Sequence, residues 1–163
     1  MSNIPIISFV AFSNTGKTTF LEKLIPCLKA KGIRLAVLKH DAHEFQIDKE
    51  GKDSWRMTQA GADVTVITSA THAAIMENRP VDVNALLAKI TDVDIIITEG
   101  YKDGTWPKIA MARAANGKPL PLDPADCAAV VTDLPGDYPC PVFALDEYEA
   151  VGCFIAENFV KNG

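Results

Sequence analysis

Residues 4–32, IPIISFVAFSNTGKTTFLEKLIPCLKAKG, contain the most informative pattern in the chain. Ile4–Ala11 is a continuous apolar run that predicts a buried strand, and Lys17–Lys31 carries apolar residues at the 3.6-residue spacing of a helix. Between them lies AFSNTGKT, which matches the phosphate-loop pattern [A/G]-x-x-x-x-G-K-[S/T]. A strand, this loop and a helix in that order predict a phosphate-binding site.

The spacing of the loop follows from the chemistry of phosphate binding. Backbone N–H groups of such a loop surround the phosphate oxygens, and the positive end of the following helix adds to the attraction. A lysine supplies a point charge for the β- and γ-phosphates, and the next hydroxyl is a magnesium ligand. The expected nucleotide-binding residues are Ser13, Asn14, Thr15, Gly16, Lys17, Thr18 and Thr19.

A phosphate loop also needs a carboxylate at the end of another strand to hold Mg²⁺ or its water. Glu99 follows the apolar run Ile95–Ile97 and precedes Gly100, in DIIITEGYK, and Asp41 follows Leu35–Leu38, in LAVLKHDAH. Ligands of open α/β sheets bind outside the carboxyl ends of the strands. The sequence therefore predicts Thr18, Glu99 and Asp41 as metal ligands. It predicts Lys17, Asp41 and Glu99 as catalytic residues.

The residues around Asp41 leave their roles open. His40 and His43 flank it and suggest either a transition-metal pair or ordinary polar loop chemistry. The charged stretch after them, Asp48–Arg56, is either a solvated surface or a switch that orders when the γ-phosphate is present.

The complete guanine signature N/T-K-x-D of many GTPases does not occur in the sequence. Its nearest fragment is Thr132-Asp133, directly after the apolar run Ala128–Val131 in CAAVVTDLPG. Asp133 is therefore the candidate acceptor for guanine, and the alternative is an aspartate in a turn.

The remaining apolar runs alternate with helical patterns, which predicts an α/β fold with a mainly parallel sheet and helices on both faces. The D-x-x-E pattern Asp146–Glu149 predicts the cap of a last helix. Lys108–Ala112 is a weaker strand, expected at a sheet edge, and part of residues 101–118 is therefore expected in a homodimer interface. The alternative is an edge that is covered within one monomer. The proline-rich segment Ala114–Asp126 predicts a loop.

The 163 residues predict a single domain, residues 1–163. The net charge of −5 disfavours a nucleic-acid binder, although residues 1–40 hold six Lys or Arg and one Glu. Four cysteines without a C-x-x-C pair indicate reduced thiols. Without a signal peptide or an 18-residue apolar run, we expect a cytoplasmic protein that does not contact a membrane.

Four segments in this order and spacing resemble the molybdopterin-guanine dinucleotide biosynthesis protein B family, over nearly the whole chain. They are AFSNTGKTT, LKHDAHEFQIDKEGKDSWRMTQAGAD, TEGYK and KIAMARA. The resemblance implies a phosphate-loop GTPase with weak GTP hydrolysis, a dimer, and cooperation with the nucleotidyltransferase that joins GMP to molybdopterin. The site residues it implies are Ser13–Thr19, Lys39, His40, Asp41, His43, Glu99, Gly100, Lys102 and Lys108. Ala11 departs from the glycine with which the family pattern commonly begins.

Three other functions fit a phosphate loop. A small-molecule kinase of this fold would carry arginines in a lid, whereas Arg34, Arg56, Arg79 and Arg113 are scattered along the sequence. A metallochaperone GTPase would need a Cys/His cluster, for which His40 and His43 are the available residues. A binding module without useful turnover needs only the loop.

Overall fold

The computed structural model describes residues 4–40 and 45–160. These residues form two compact units: residues 4–40 and 90–160, the sheet unit, and residues 45–89, the hairpin unit. The strands are β1 Ile6–Ala11, β2 Leu35–Lys39, β3 Val64–Thr68, β4 Ala73–Glu77, β5 Ile95–Glu99, β6 Lys108–Ala112, β7 Ala129–Thr132 and β8 Val142–Phe143. The helices are α1 Lys17–Ala30, α2 Asp53–Gln59, α3 Val83–Leu87 and α4 Tyr148–Asn158.

The sheet unit is built on six strands in the order β2-β5-β1-β6-β7-β8, and every neighbouring pair is parallel. Ile6 of β1 lies opposite Ile96, and Val10 lies opposite Ala110, so β1 is central. A parallel sheet buries both faces, which explains the near-continuous apolar runs of β1 and β5. The prediction of a mainly parallel α/β fold is confirmed.

One face of the sheet packs against α1 and α4, which also contact each other. Odd-numbered residues of β1 and β5 point to this face, and Glu99 continues the same alternation at the end of β5. The fully buried side chains there include Ile7, Phe9, Leu24, Leu28, Ile95, Ile97, Ile109, Met111, Val131, Val151 and Ile155. The alternation therefore brings the Glu99 carboxylate to the same side of the sheet as α1.

The opposite face of the sheet carries smaller and partly polar side chains. Ala110 and Val130 pack with Cys127 and are flanked by Leu120 and Leu122, from the segment between β6 and β7. That segment includes two single turns of 3₁₀ helix, Ala114–Asn116 and Pro124–Asp126, within the region predicted as a loop.

A buried hydroxyl pair joins the two central strands on this opposite face. The Thr98 hydroxyl donates to the Ser8 hydroxyl at 2.7 Å, and both residues are fully buried. Because each hydroxyl partners the other, neither is left unsatisfied in the core.

The hairpin unit contains β3 and β4, an antiparallel pair in which Val66 lies opposite Ile75. Helix α2 contacts β3, and the Thr58 and Thr65 hydroxyls lie 2.8 Å apart. Asp82 caps α3 by accepting a hydrogen bond from the Asn84 N–H at 2.8 Å.

Two local predictions are wrong. β6 is not an edge strand: it lies between β1 and β7, and Ile109–Ala112 are all buried. Asp146 and Glu149 do not cap α4. The cap residue is Glu147, whose carboxylate accepts from the Ala144 N–H at 2.6 Å and so secures the turn before the helix.

In the part of the chain that the structure describes, no helix has the length and apolarity to span a membrane.

Candidate phosphate-binding site

The predicted phosphate loop lies between the carboxyl end of β1 and the first turn of α1. It adopts left-handed backbone at Asn14, with φ 66°, and at Gly16, with φ 90°, and these two reversals curl the chain around a cavity of about 370 Å³. The buried Thr15 hydroxyl donates to the Phe12 carbonyl at 2.8 Å and closes the loop on itself. The cavity is lined by residues 11–19 and by Glu99.

Helix α1 presents its amino end to this cavity. Its first turn, Lys17–Phe20, holds no acidic residue, and its cap position is Gly16, without a side-chain cap. The partial positive charge of the helix end is therefore available to an anion.

Lys17, Thr18 and Glu99 meet at the mouth of the cavity. The Thr18 hydroxyl donates to Glu99 Oε1 at 3.1 Å, and Lys17 Nζ lies 3.6 Å from the same oxygen. The side chains of Lys17 and Glu99 are 17% and 15% exposed, so their charges are only partly screened by water. The structure thus brings Glu99 together with two loop residues, of which Thr18 lies 81 positions before it in the sequence.

These groups fit a magnesium ion. A hydroxyl and a carboxylate oxygen within hydrogen-bond distance of each other are the hard donors that Mg²⁺ takes beside nucleotide phosphates. Asp41 and His43, the other predicted carboxylate and the second histidine, lie outside the described residues. Within residues 4–40 and 45–160, no group of three or more His, Cys, Asp or Glu is arranged to hold a metal.

Two residues that sequence reasoning did not connect with the loop contact its backbone. Arg113 Nε donates to the Thr15 carbonyl at 3.1 Å, and Asn116 Nδ2 donates to the Ser13 carbonyl at 3.2 Å. Both belong to residues 113–118, the brace segment, which follows β6. The sequence contains their residue types but not the strand order that places the end of β6 beside the loop.

Asp133 follows β7, on the far side of β6 from the loop. Its side chain is exposed, and Oδ1 accepts a hydrogen bond from the Ala114 N–H at 2.6 Å. The candidate guanine acceptor is therefore tied to the brace segment.

The residues around Glu99 are ordered by the ends of β2 and β5. The His40 N–H donates to the Glu99 carbonyl at 3.1 Å, and the His40 ring lies 4.9 Å from that of Tyr101. Gly100 has φ 100°, a conformation suited to glycine, and its N–H donates to the Phe9 carbonyl at 3.1 Å.

The three lysines taken from the family resemblance lie around this segment. Lys39 ends β2 and is exposed, and Lys102 is exposed after Tyr101. Lys108 Nζ donates to the carbonyls of Gly104 and, at 3.3 Å, Trp106. Lys108 therefore stabilises the turn before β6, and the contacts of its ammonium group are with that turn.

Comparison with known proteins points to one family. The family described as MobB, molybdopterin guanine dinucleotide synthesis protein B, matches residues 6–133. A molybdopterin-guanine dinucleotide biosynthesis adapter protein of Haemophilus influenzae is 37% identical over 165 residues, covering 99% of this chain and 92% of that one. The protein of the same description from Escherichia coli is 35% identical, covering 97% and 95%. The crystal structure of Bacillus subtilis MobB superposes with a TM-score of 0.78 at 29% identity, covering 98% of this chain and all of that one.

Proposed function

Because the chain belongs to the MobB family of molybdopterin guanine dinucleotide synthesis, we propose that it binds GTP with Mg²⁺ and acts as an adapter in that synthesis. The observation that carries the nucleotide part is the convergence of Lys17, Thr18 and Glu99 on the cavity of the phosphate loop. The adapter part is supported by the relatives from Haemophilus influenzae and Escherichia coli, which are described as biosynthesis adapter proteins.

The loop would hold the triphosphate and its metal. Backbone N–H groups of residues 13–18 and the Lys17 ammonium bind the phosphates, while Thr18 and Glu99, with Asp41, hold the metal directly or through water. A Mg²⁺ ion held by these residues would supply positive charge that offsets the charge developing on the phosphates. Lys17, Glu99 and Asp41 are the proposed catalytic residues.

We propose that hydrolysis is slow. Affinity requires only the loop and its metal, whereas turnover also requires a group that positions the attacking water. An adapter that binds its partner in the nucleotide-bound state requires a complex with GTP that lasts until the partner binds.

Asp133 is the proposed guanine acceptor. A carboxylate has about four lone-pair sites, so its contact with the Ala114 N–H leaves capacity for the N1–H and N2–H donors of guanine. Its position after β7, at the same end of the parallel sheet as the loop, supports this assignment.

The proposed partner is the nucleotidyltransferase that joins GMP to molybdopterin, in the cytoplasm, and the proposed state is a homodimer. The burial of β6 removes the edge-strand reason for dimerisation, but the hairpin unit supplies another. Its large apolar side chains that are each at least 40% exposed are Phe45, Ile47, Met57, Val64, Val66, Ile67 and Ile75. A two-stranded hairpin is marginally stable by itself, so a second copy covering this surface would stabilise it.

The nucleotide proposal is tested by calorimetric titration with GTP, GDP and ATP, with and without Mg²⁺. We expect GTP to bind more tightly than ATP. The Asp133→Asn variant should lose this preference, because the amide presents a donor where guanine N1–H needs an acceptor. Asp137→Asn, an exposed change a few residues away, is the matched control. Equal affinity of the wild type for GTP and ATP contradicts the guanine assignment, and absence of binding contradicts the nucleotide role.

The adapter proposal is tested by adding the protein to the purified nucleotidyltransferase with GTP and molybdopterin. We expect faster formation of the dinucleotide. A rate that is independent of the added protein at every concentration contradicts the adapter role.

A further inference from the structure

The carbonyl groups of the phosphate loop have specific hydrogen-bond partners in the brace segment. Arg113 Nε donates to the Thr15 carbonyl at 3.1 Å, and Asn116 Nδ2 donates both to the Ser13 carbonyl and to the Thr15 hydroxyl at 3.2 Å. Two side chains from the segment that follows β6 thus contact alternate carbonyl groups of one loop.

These contacts fix the orientation of two peptide planes. In a trans peptide the C=O and the following N–H point in opposite directions, and the unit is rigid. A donor that holds the Ser13 carbonyl on the outside of the loop therefore directs the Asn14 N–H to the inside. By the same geometry, Arg113 on the Thr15 carbonyl directs the Gly16 N–H to the inside.

The brace segment is itself held in place. Its backbone forms a 3₁₀ turn in which the Asn116 N–H donates to the Arg113 carbonyl at 2.9 Å. The Ala114 N–H donates to Asp133 Oδ1 at 2.6 Å, which ties the turn to the end of β7. The donors therefore reach the loop from an ordered support.

The guanidinium group also lies close behind Gly16. A Cβ placed on Gly16 would be 3.1 Å from Arg113 Nη2. A positive charge at that position favours an anion in the loop, in addition to Lys17 and the helix end.

We propose that Arg113 and Asn116 are positioning residues of the nucleotide site, which hold the Asn14 and Gly16 N–H groups toward the phosphates before the nucleotide arrives. This inference rests on the proposed function of the loop as a triphosphate site. It assigns a role in phosphate affinity, and none in the choice between guanine and adenine.

The test compares the affinities of Arg113→Ala and Asn116→Ala for GTP, ATP and inorganic tripolyphosphate, each with Mg²⁺. We expect each variant to lose affinity for all three ligands by a similar factor. For Arg113→Ala the loss should be about tenfold, since losing one hydrogen bond from a charged group weakens binding by roughly that factor. The ratio of GTP to ATP affinity should stay constant. Arg34→Ala is the matched control, because its guanidinium pairs with Asp94 at the other end of the sheet.

Hydrogen exchange at saturating tripolyphosphate gives a second measurement that a general loss of stability would not reproduce. We expect the bound phosphates to protect the Asn14 and Gly16 amides less in the variants than in the wild type, with the amides of β7 unchanged. If Arg113→Ala does not fold, the half-buried Asn116 provides the test alone.

Unchanged affinity in folded variants overturns the positioning role, and so does a changed GTP to ATP ratio, which would indicate contact with the base. These outcomes leave the proposed function intact. A wild-type protein that binds none of the three phosphates overturns the proposed function together with the inference.

Discussion

Lys17 lies at the amino end of α1 with its ammonium group 3.6 Å from Glu99, at the mouth of the loop cavity. Replacing it by alanine should weaken GTP binding by tenfold or more, because each hydrogen bond to a charged group contributes about 1.5–3 kcal/mol. The fold should persist, since Lys17 is outside the core. Lys29→Ala, at the exposed last turn of the same helix, is the control for calorimetry. Unchanged affinity in a folded Lys17→Ala protein contradicts the phosphate-loop interpretation.

Glu99→Gln keeps the shape of the side chain and a hydrogen-bond acceptor for Thr18, but removes the negative charge. We expect it to reduce nucleotide affinity in the presence of Mg²⁺ more than in its absence, because a neutral amide is a poorer magnesium ligand. Asp41→Asn should behave in the same way. The measurement is a titration with and without Mg²⁺. An equal loss of nucleotide affinity with and without Mg²⁺ would contradict the assignment of these two carboxylates as metal ligands.

The residues that local pattern can identify are those whose role follows from their own neighbours in sequence. Lys17 and Thr18 are defined by the loop motif, and Glu99 by its place after an apolar strand. Arg113 and Asn116 act through a strand that becomes adjacent to β1 only in the fold, so their contacts with the loop depend on tertiary structure. The same holds for the link from Ala114 to Asp133.

At the scale of elements, the hydrophobic pattern predicts where strands occur in the sequence, but not which strands lie next to each other in the sheet. β6 has alanines at positions 110 and 112 and begins with Lys108, which suggests a weak edge strand. In the fold Ala110 lies between Val10 of β1 and Val130 of β7, and Ala112 lies opposite Thr132 of β7. The strand is therefore flanked on both sides. The pattern records burial, but strand order is set by the connections and by packing of all layers together.

The start of α4 shows why a capping motif is not sufficient. Asp146 and Glu149 have the required spacing, yet the helix begins one residue later than that motif needs, at Tyr148. The Glu147 carboxylate instead accepts a hydrogen bond from the Ala144 N–H, and this contact closes the turn after β8. The preceding turn determines where the helix begins, and helix starts are uncertain by one or two residues for this reason.

The starts of β2 and β5 are joined by an exposed ion pair whose effect depends on pH. Arg34 donates to the Asp94 carboxylate from its backbone N–H at 2.7 Å and from its guanidinium at 2.9 Å, and these bonds lower the pKa of Asp94. A folded pKa below the unfolded value stabilises the fold above about pH 4, and this contribution is lost as the pH falls through the folded pKa. We expect Asp94→Asn to lower the melting temperature at pH 7 and to have a shrinking effect below pH 4. An effect of constant size from pH 3 to pH 7 contradicts this assignment.

At the scale of the whole molecule, the contacts separate the sheet unit from the hairpin unit, whereas the sequence predicts one domain over residues 1–163. The one-domain organisation stays a prediction. Composition and length limit the number of domains but carry no information on how contacts are partitioned between segments.

The proposed homodimer gives the hairpin unit a measurable role. Val66 and Ile75 are cross-strand partners and are 61% and 63% exposed. We expect Val66→Glu to shift the protein from dimer to monomer in light scattering at tens of micromolar, because burying a carboxylate in an apolar contact is unfavourable. Val142→Glu, at a 46% exposed valine of β8, should leave the dimer intact. A wild-type monomer under these conditions contradicts the dimer.

The strand order of the sheet has a consequence for synthesis of the protein. The central strand β1 is made first, but its partners β5 and β6 follow much later: Ile6 pairs with Ile96, ninety positions further along the chain. At about 5–20 residues per second, the ribosome needs several seconds to make that distance. During this time Ile7–Val10, all buried in the finished sheet, have no strand to pair with. Until residue 99 has been made, β1 is therefore an unpaired apolar segment of the kind that favours aggregation.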